Sequence, residues 1–552
     1  MPPPPTPAGR RLLHVIPVRV RHYWKVLAGC VALVAVLTLV VSTVRVQPYV
    51  TSSSDETGDE VTQNIAGTVD LFDSGRAHKF ELTFHDTNYQ RMLDTYYAEG
   101  EKEYVEADLT IDGTLMRSVG IRLKGNSTLG GLTRNGVARQ GGMGPGGGRG
   151  NRPEGGGPAA GQAPGALPNA GAQGGGARGG GFARTTLKAE EPETLPWLIR
   201  FDEFVEGRRY QGHREVTMRV AGMGGGATVL NEALSLNLLD AVGAIAQRYA
   251  YTSFTVNDRP TTARLVVEHP DENFADEIDG SGVLYKSLAS GQFTDQGDDP
   301  TDYQDDFKQI TKKGSQDLQP VIDLVKWVNS SSDAEFDKSL GDHVDVASFA
   351  RYAALQNLLL NFDDMAGPGR NYYLWYDLGT KKFTVIGWDY NLTFSGNAEQ
   401  GPHDATSMGG FPGGGAPGGG MQLPEGMQLP EGMELPEGMQ LPEGMQPPGG
   451  GEADADQNGA DTPRRGFGGH KLKERFLASA AYKKVYEDAY RELYEQIFGS
   501  GKALTTLDGI TKVLATVDGS NAETVSKDAA TLKTVIQQRT TSLAKNEVIT
   551  AK

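Results

Sequence analysis

The stretch NFDDMAGPGRNYYLWYDLGTKKFTVIGWDYN, from Asn361 to Asn391, combines two strand-like segments with acidic and amide side chains at their ends. NYYLWYDL and KKFTVIGWDY are rich in aromatic and β-branched residues, and Gly379-Thr380 between them suits a turn, so a hairpin is predicted. Just before it, the apolar spacing of 345–360 predicts a helix with Asp345 as its N-cap.

The polar residues of this stretch occur in an order that suits phosphoryl transfer. Asp363 and Asp364 lie in the loop, Asn371 begins the first strand and Asp389 ends the second. Such chemistry needs a carboxylate to orient the acceptor hydroxyl and oxygen ligands for a divalent metal ion, and protein kinases present these groups in a similar order. Aspartates in loops more often cap helices or face water, and that alternative stays open for the pair.

Outside this stretch, alternation of apolar and polar residues predicts further strands. HKFELTF (78–84) is one, and a hairpin is expected at Asp112-Gly113. Its second strand places Arg122 and Lys124 on one face, because strand side chains alternate. The remaining predicted elements are two strands around Asn257-Asp258 and helices at Asn231–Gly243, Leu472–Phe498 and Thr505–Lys545.

Charge and cysteine content exclude several functional classes. The formal net charge is −17, and the first 25 residues hold five basic residues and no acidic one, which leaves 48 basic against 70 acidic residues, or −22, for the remainder. A body this acidic repels nucleic acid, so nucleic acid is not an expected partner. With Cys30 as the only cysteine, internal disulfides, a cysteine nucleophile elsewhere and Cys-based zinc sites are excluded.

Residues 26–44 predict a membrane anchor. VLAGCVALVAVLTLVVSTV runs for 19 residues without a charge, enough to cross a hydrocarbon core of about 30 Å as a helix. The five basic residues before it place the N-terminus in the cytosol and the main domain outside the cell, as a single-pass membrane protein. A cleaved signal peptide is the alternative, although its apolar core is usually shorter.

Two tracts are predicted to be disordered insertions. Residues 141–183 are dominated by Gly, and 407–466 contain four hexapeptides of the type MQLPEG, beginning at Met421. Neither composition can build a core, and a Pro and a Gly in every hexapeptide favour an extended spacer. A polar stalk at 45–67 would join the anchor to the ordered domain.

Several motifs resemble the spore-coat protein H (CotH) family of atypical secretory kinases. The family has a Tyr-Asp loop, an Asn-Tyr strand start and a Trp-Asp-Tyr-Asp element, and this chain has Phe362-Asp363, Asn371-Tyr372 and Trp388-Asp389-Tyr390-Asn391 in that order. The other stretches similar to the family are GIRLKGNST (120–128), RFDEFVEGRRYQG (200–212), LVVEHPDENF (265–274) and GVLYK (282–286).

The resemblance implies an α+β, two-lobed, protein-kinase-like domain that uses ATP with Mg²⁺ or Mn²⁺ and acts on proteins at the cell surface or envelope. It implies that Asp363 is the catalytic carboxylate, with Asp364 as the competing choice. It also implies that Asp389 is a metal ligand and Asn371 a second one.

The resemblance further implies a nucleotide-binding set. Lys124, with Arg122, is the expected phosphate-binding group. Glu268 and Lys286 are additional candidates for the nucleotide pocket.

Two departures from the family pattern favour a different reading. The second Asp of the Trp-Asp-Tyr-Asp element is Asn391 here, and an extra Ala-Gly-Pro-Gly lengthens the loop after Asp363. Loss of one carboxylate would weaken a second metal site. The alternative function is therefore a catalytically inactive surface scaffold or adhesion protein on the same fold.

Overall fold

The computed structural model describes residues 60–125, 128–139, 187–221, 226–404 and 469–551, together with Lys25 and Ala28. The predicted membrane span at 26–44, apart from Ala28, and both predicted insertions lie outside these ranges. Within them, no helix combines the length and the apolar character needed to cross a membrane.

Helices and strands are mixed along the described parts of the chain. The strands are β1 (Gln63–Ile65), β2 (Ala77–Phe84), β3 (Val105–Ile111), β4 (Thr114–Leu123), β5 (Leu132–Arg134), β6 (Val137–Ala138), β7 (Leu187–Lys188), β8 (Trp197–Arg200), β9 (Arg208–Tyr210), β10 (Glu215–Arg219), β11 (Tyr249–Val256), β12 (Thr262–Glu268), β13 (Gly282–Ser287), β14 (Phe307–Gln309), β15 (Tyr372–Asp377) and β16 (Phe383–Gly387).

The helices are α1 (Asp86–Glu99), α2 (Leu230–Ala241), α3 (Glu272–Asp276), α4 (Gln319–Ser330), α5 (Asp333–His343), α6 (Val346–Leu358), α7 (Lys471–Ala478), α8 (Ala480–Tyr494), α9 (Lys502–Leu514), α10 (Ala522–Leu543) and α11 (Glu547–Thr550). Five of them, α1, α3, α4, α5 and α11, have no counterpart in the sequence-based prediction.

Seven strands close into a barrel in the order β10-β12-β11-β2-β3-β4-β8. The hairpin predicted at Asp112-Gly113 is confirmed, because β3 and β4 pair antiparallel and the two turn residues have φ of 47° and 84°. The alternation predicted for β2 is confirmed too, since Phe80, Leu82 and Phe84 are buried in the barrel core. The barrel therefore has a core of its own.

A second sheet, in the order β14-β13-β15-β16, contains the predicted hairpin of 361–391 and is confirmed as antiparallel. The helix predicted before it is α6, and Asp345 caps it by accepting a hydrogen bond from the Ser348 N–H at 2.9 Å. Helix α6 packs on α8 and on β16, and α9 packs on α2. A large helical core thus supports the hairpin from one side.

The single helix predicted over 472–498 is wrong in detail. The chain forms α7 and α8 with a break at Ser479, whose backbone is extended (φ −75°, ψ 124°). The Ser479 hydroxyl accepts a hydrogen bond from the Ala481 N–H and donates one to Asp337, so it caps α8 instead of continuing α7. The aromatic spacing is the same on both sides of the break, which is why the sequence pattern did not reveal it.

The last long helix is fastened by a buried arginine. Arg539 of α10 is 0% exposed, and none of its acceptors is a carboxylate. Its guanidinium donates to the backbone carbonyls of Asn357, Leu358, Ala398 and Gln400 and to the side chains of Asn357 and Tyr490. One side chain therefore ties α10 to the end of α6 and to the segment that follows the hairpin.

We expect Arg539→Met to destabilise the protein by roughly 3 kcal/mol or more, because several buried carbonyls lose a charged donor. In thermal unfolding of the full-length protein the melting temperature should fall by about 5 °C or more. The control is Arg351→Met, since Arg351 is partly exposed and pairs with Glu492 at 2.9 Å. Equal shifts for the two variants would contradict the role given to Arg539.

Candidate active site

The site forms where β16 leaves the second sheet beside the end of β10. The Trp388 N–H donates to the Asn371 carbonyl at 3.2 Å, so the start of β15 and the end of β16 lie side by side. Asp389 follows with a left-handed backbone, φ 61° and ψ 68°. This conformation is uncommon outside glycine, although Asp and Asn adopt it more readily than most residues, and such residues cluster at functional sites.

An arginine that the sequence analysis did not select connects Asp389 to the barrel. Arg219 ends β10, and its Nε and Nη2 donate to the two carboxylate oxygens of Glu232 on α2, at 2.8 and 2.5 Å. The same Nη2 also donates to Asp389 Oδ1. Although burial opposes it, the two carboxylates raise the pKa of Arg219 above its usual value.

Solvent access differs sharply across this group. The Arg219 and Glu232 side chains are 9% and 3% exposed, whereas the Asp389 side chain is 27% exposed. Burial raises the pKa of the Glu232 carboxyl, against the effect of Arg219. Asp389 is therefore the carboxylate of the group that a ligand from solvent can reach most readily.

Asp363 is held in a defined orientation near Asp389. Its carboxylate accepts hydrogen bonds from the Gly369 N–H at 2.5 Å and from Asn371 Nδ2 at 2.9 Å. Burial raises the pKa of Asp363 to about 7, against the hydrogen bond from Gly369, and the charges of Asp389 and Asp364 add to the increase. Its proton affinity thus lies close to neutral pH, where a general base is most effective.

The Asp364 side chain contacts α7 and its own loop. Its carboxylate forms an ion pair with Lys473 of α7 and accepts the Ala366 N–H at 2.8 Å. The side chain is 3% exposed, so it has little access to a substrate. These contacts describe a residue that anchors the loop to α7.

The additional Ala-Gly-Pro-Gly of the loop, residues 366–369, wraps around Asp363. A Cβ on Gly369 would lie 2.6 Å from Asp363 Oδ2 and 2.7 Å from Asn371 Nδ2, and one on Gly367 would lie 2.5 Å from the Phe362 carbonyl oxygen. The close packing explains why two glycines occur here. The four additional residues lengthen the spacing between Asp363 and Asn371.

Three cationic side chains lie close to the Trp388 ring. The Lys124 and Lys286 ammoniums and the Arg219 guanidinium lie 5.1, 5.6 and 5.5 Å from its ring centroid. Among the residues that the structure describes, neither lysine ammonium has a hydrogen-bond or ion-pair partner. Burial lowers the pKa of both, that of Lys286 to about 8 and that of Lys124 well below its usual value.

A buried contact between a histidine and a glutamate lies behind these cations. The His269 ring nitrogen Nδ1 is 2.6 Å from Glu215 Oε1, and the His269 ring meets Trp388 edge to face at 5.5 Å. Burial lowers the pKa of His269 to about 3. Although burial opposes it, His269 and Lys124 lower the pKa of Glu215, which therefore remains an anion beside the lysines.

The remaining two predicted nucleotide-binding residues have different positions. The Arg122 guanidinium lies 5.1 Å from the Tyr104 ring centroid and close enough to Lys124 to depress the pKa of that lysine, so it borders the cation group. Glu268 lies in a separate cluster, where its carboxylate accepts from Arg248 Nη2 at 2.8 Å and from the Arg248 N–H at 3.0 Å. Strand alternation points Glu268 away from the site that His269 faces.

Two side chains of the site have oxygen atoms of the kind that bind a divalent ion. Asp389 supplies a carboxylate, and Asn371 Oδ1 is an amide oxygen with no hydrogen-bond partner among the described residues. Hard oxygen donors of this kind suit Mg²⁺, which is usually held by one or two side chains plus substrate phosphates. In the described ranges no three His, Cys, Asp or Glu side chains gather as a metal-binding cluster.

A carboxylate pair, hard oxygen donors and two lysine ammoniums without an acceptor in the described part of the chain are the parts of a candidate phosphotransferase site. The sequence model of the family described as CotH kinase protein matches residues 178–543, and the chain belongs to this family. The match begins after Arg122 and Lys124, so their positions in the site come from the structure alone.

A curated relative matches more distantly. The inner spore coat protein H of Bacillus subtilis (strain 168) is 22% identical over 204 residues, which cover 35% of this chain and 53% of that protein. The chain thus spans about half the length of the curated relative it matches.

The packing around Asp363 predicts that Gly367→Ala destabilises the protein. The new methyl group would overlap backbone atoms at Phe362 and Asp363, which cannot move aside cheaply, and overpacking of this kind costs roughly 1–3 kcal/mol. Gly509→Ala is the matched control, because a Cβ there meets nothing within 4 Å in α9. Thermal unfolding should show a loss for Gly367→Ala only, and unchanged melting of both variants would contradict the close packing.

Proposed function

We propose that the chain is a CotH-like protein kinase that transfers the γ-phosphate of ATP to Ser or Thr hydroxyls of other proteins, with Mg²⁺ or Mn²⁺. The observation that carries this proposal is that the ammoniums of Lys124 and Lys286 face Trp388, the neighbour of Asp389, and have no acceptor among the residues that the structure describes. Partly buried ammoniums without an acceptor are costly, and a polyphosphate would supply the missing acceptors. Family membership supports a kinase function at the level of the family.

In the proposed reaction the acceptor hydroxyl oxygen attacks the γ-phosphorus, and the bond from that phosphorus to the leaving oxygen of ADP breaks. The hydroxyl proton passes to the Asp363 carboxylate, which Gly369 and Asn371 hold in place. Lys124, Lys286 and Arg219 bind and orient the phosphates. A divalent ion held by Asp389 and Asn371 would neutralise the phosphate charge.

The proposal extends to the fold and to the location of the reaction. The barrel would form one lobe, and the second sheet with its helices would form the other, as in protein kinases. The chain would be anchored through residues 26–44 and would act on proteins at the cell surface or envelope. The support for the anchor is the charge-free run and the basic residues that precede it.

The role given to Asp389 predicts that Asp389→Asn abolishes metal-dependent ATP binding. The substitution keeps the size of the side chain but removes the anionic ligand that a hard divalent ion prefers. Calorimetric titration of the full-length protein with ATP and Mg²⁺ should give a clear binding signal for the wild type and little or none for the variant. Wild-type protein that binds no ATP with either metal would favour the second candidate function, a catalytically inactive scaffold. The presence of Asn391 in place of a second aspartate is the observation that favours this alternative.

The loop pair predicts a contrast between two neighbouring substitutions. Asp363→Asn should still bind ATP with metal, yet phosphoryl transfer should fall by roughly 10²–10⁴-fold, as expected for a lost general base. Asp364→Asn should retain most of the transfer rate and lose stability instead, because its carboxylate pairs with Lys473. Single-turnover transfer and thermal unfolding are measured on both. A larger transfer defect in Asp364→Asn would reverse the assignment.

A further inference from the structure

Arg219 already pairs with one oxygen of the carboxylate proposed to bind the metal ion. Its Nη2 contacts Asp389 Oδ1, the carboxylate that the proposed function assigns to the metal ion. A divalent ion bound to this carboxylate would lie a few ångströms from the guanidinium, and the two cations would repel each other in a partly buried site.

The guanidinium binds its two carboxylates with different geometry. Glu232 accepts from Nε and Nη2 together, a bidentate arrangement that fixes the plane of the group. Asp389 receives only a share of Nη2 and is the more exposed of the two carboxylates. Loss of the Asp389 contact therefore leaves Arg219 anchored on Glu232.

A new partner for Arg219 is within reach only when nucleotide is present. Its Nη1 has no hydrogen-bond partner among the described residues, and the guanidinium lies 5.5 Å from the Trp388 ring that Lys124 and Lys286 also face. Phosphate oxygens bound by those two lysines would be next to Arg219 and could accept from it. Metal without nucleotide offers no such compensation.

We propose that Arg219 is an internal counter-cation of Asp389 that a nucleotide-bound divalent ion displaces, so that Arg219 exchanges the carboxylate for phosphate and makes metal and nucleotide bind cooperatively. This inference rests on the proposed function of the site. It adds that metal alone binds weakly, because it must unpair Arg219, and that metal with nucleotide binds tightly, because both cations then have partners.

The test is Mn²⁺ binding to the full-length protein, measured by electron paramagnetic resonance with and without a non-hydrolysable ATP analogue. The decisive variants are Glu232→Gln and the double variant Arg219→Met/Glu232→Gln, which differ only in the guanidinium. The double variant avoids leaving Glu232 as a buried unpaired carboxylate, which could unfold the protein or bind the metal itself.

Without nucleotide, we expect the double variant to bind Mn²⁺ roughly 5- to 150-fold more tightly than Glu232→Gln, the range typical of coupled binding sites. Equal or weaker binding by the double variant, with wild-type protein still binding Mn²⁺ in the presence of the analogue, would overturn this inference and leave the proposed function intact. Absence of Mn²⁺ binding by wild-type protein even with the analogue would overturn both.

Discussion

The Arg219 guanidinium is shared by three elements that are far apart in sequence. It ends barrel strand β10, is fixed by Glu232 on helix α2, and reaches Asp389 at the end of hairpin strand β16. Because the group is almost fully buried, its charge needs compensation, which Glu232 provides together with Asp389. These ion pairs thus join the barrel edge, α2 and the hairpin at one buried point.

Close to Arg219 the protein has lysine side chains whose burial is unfavourable for stability. Lys124 and Lys286 face the same indole ring as Arg219, and burial lowers the pKa of both lysines. Lys286 also lies directly opposite Lys308 in the pairing of β13 with β14, an unfavourable cross-strand pair of like charges. Such costs are expected at a site that awaits an anionic ligand.

The sequence predicted those parts of the fold that depend on local pattern. The hairpins at 112–113 and 379–380, the helix cap at Asp345 and the order of Asp363, Asn371 and Asp389 all follow from turn residues, alternation and spacing. The break at Ser479 was missed because the aromatic stripe continues across it, and only the tertiary contact with Asp337 reveals the cap.

The sequence did not predict the contacts of the site that join residues far apart in the chain. Arg219 and Glu232 are separated by a glycine-rich stretch of sequence, and no periodic signal links them, because their contact depends on how β10 and α2 are packed. Strand register likewise decides that His269 faces Trp388 and that its neighbour Glu268 pairs with Arg248 instead. The proposal of Asp363 over Asp364 as the base rests on the contacts with Lys473 and Gly369, which no sequence pattern shows.

The most direct test of the account is the fate of labelled phosphate when the full-length protein is incubated with ATP, Mg²⁺ and envelope proteins. The account predicts that label in the γ-phosphate becomes covalently attached to Ser or Thr of an acceptor protein, whereas label in the α-phosphate does not. Attachment of the α-label, or no attachment of the γ-label by protein that binds ATP with metal, would contradict it.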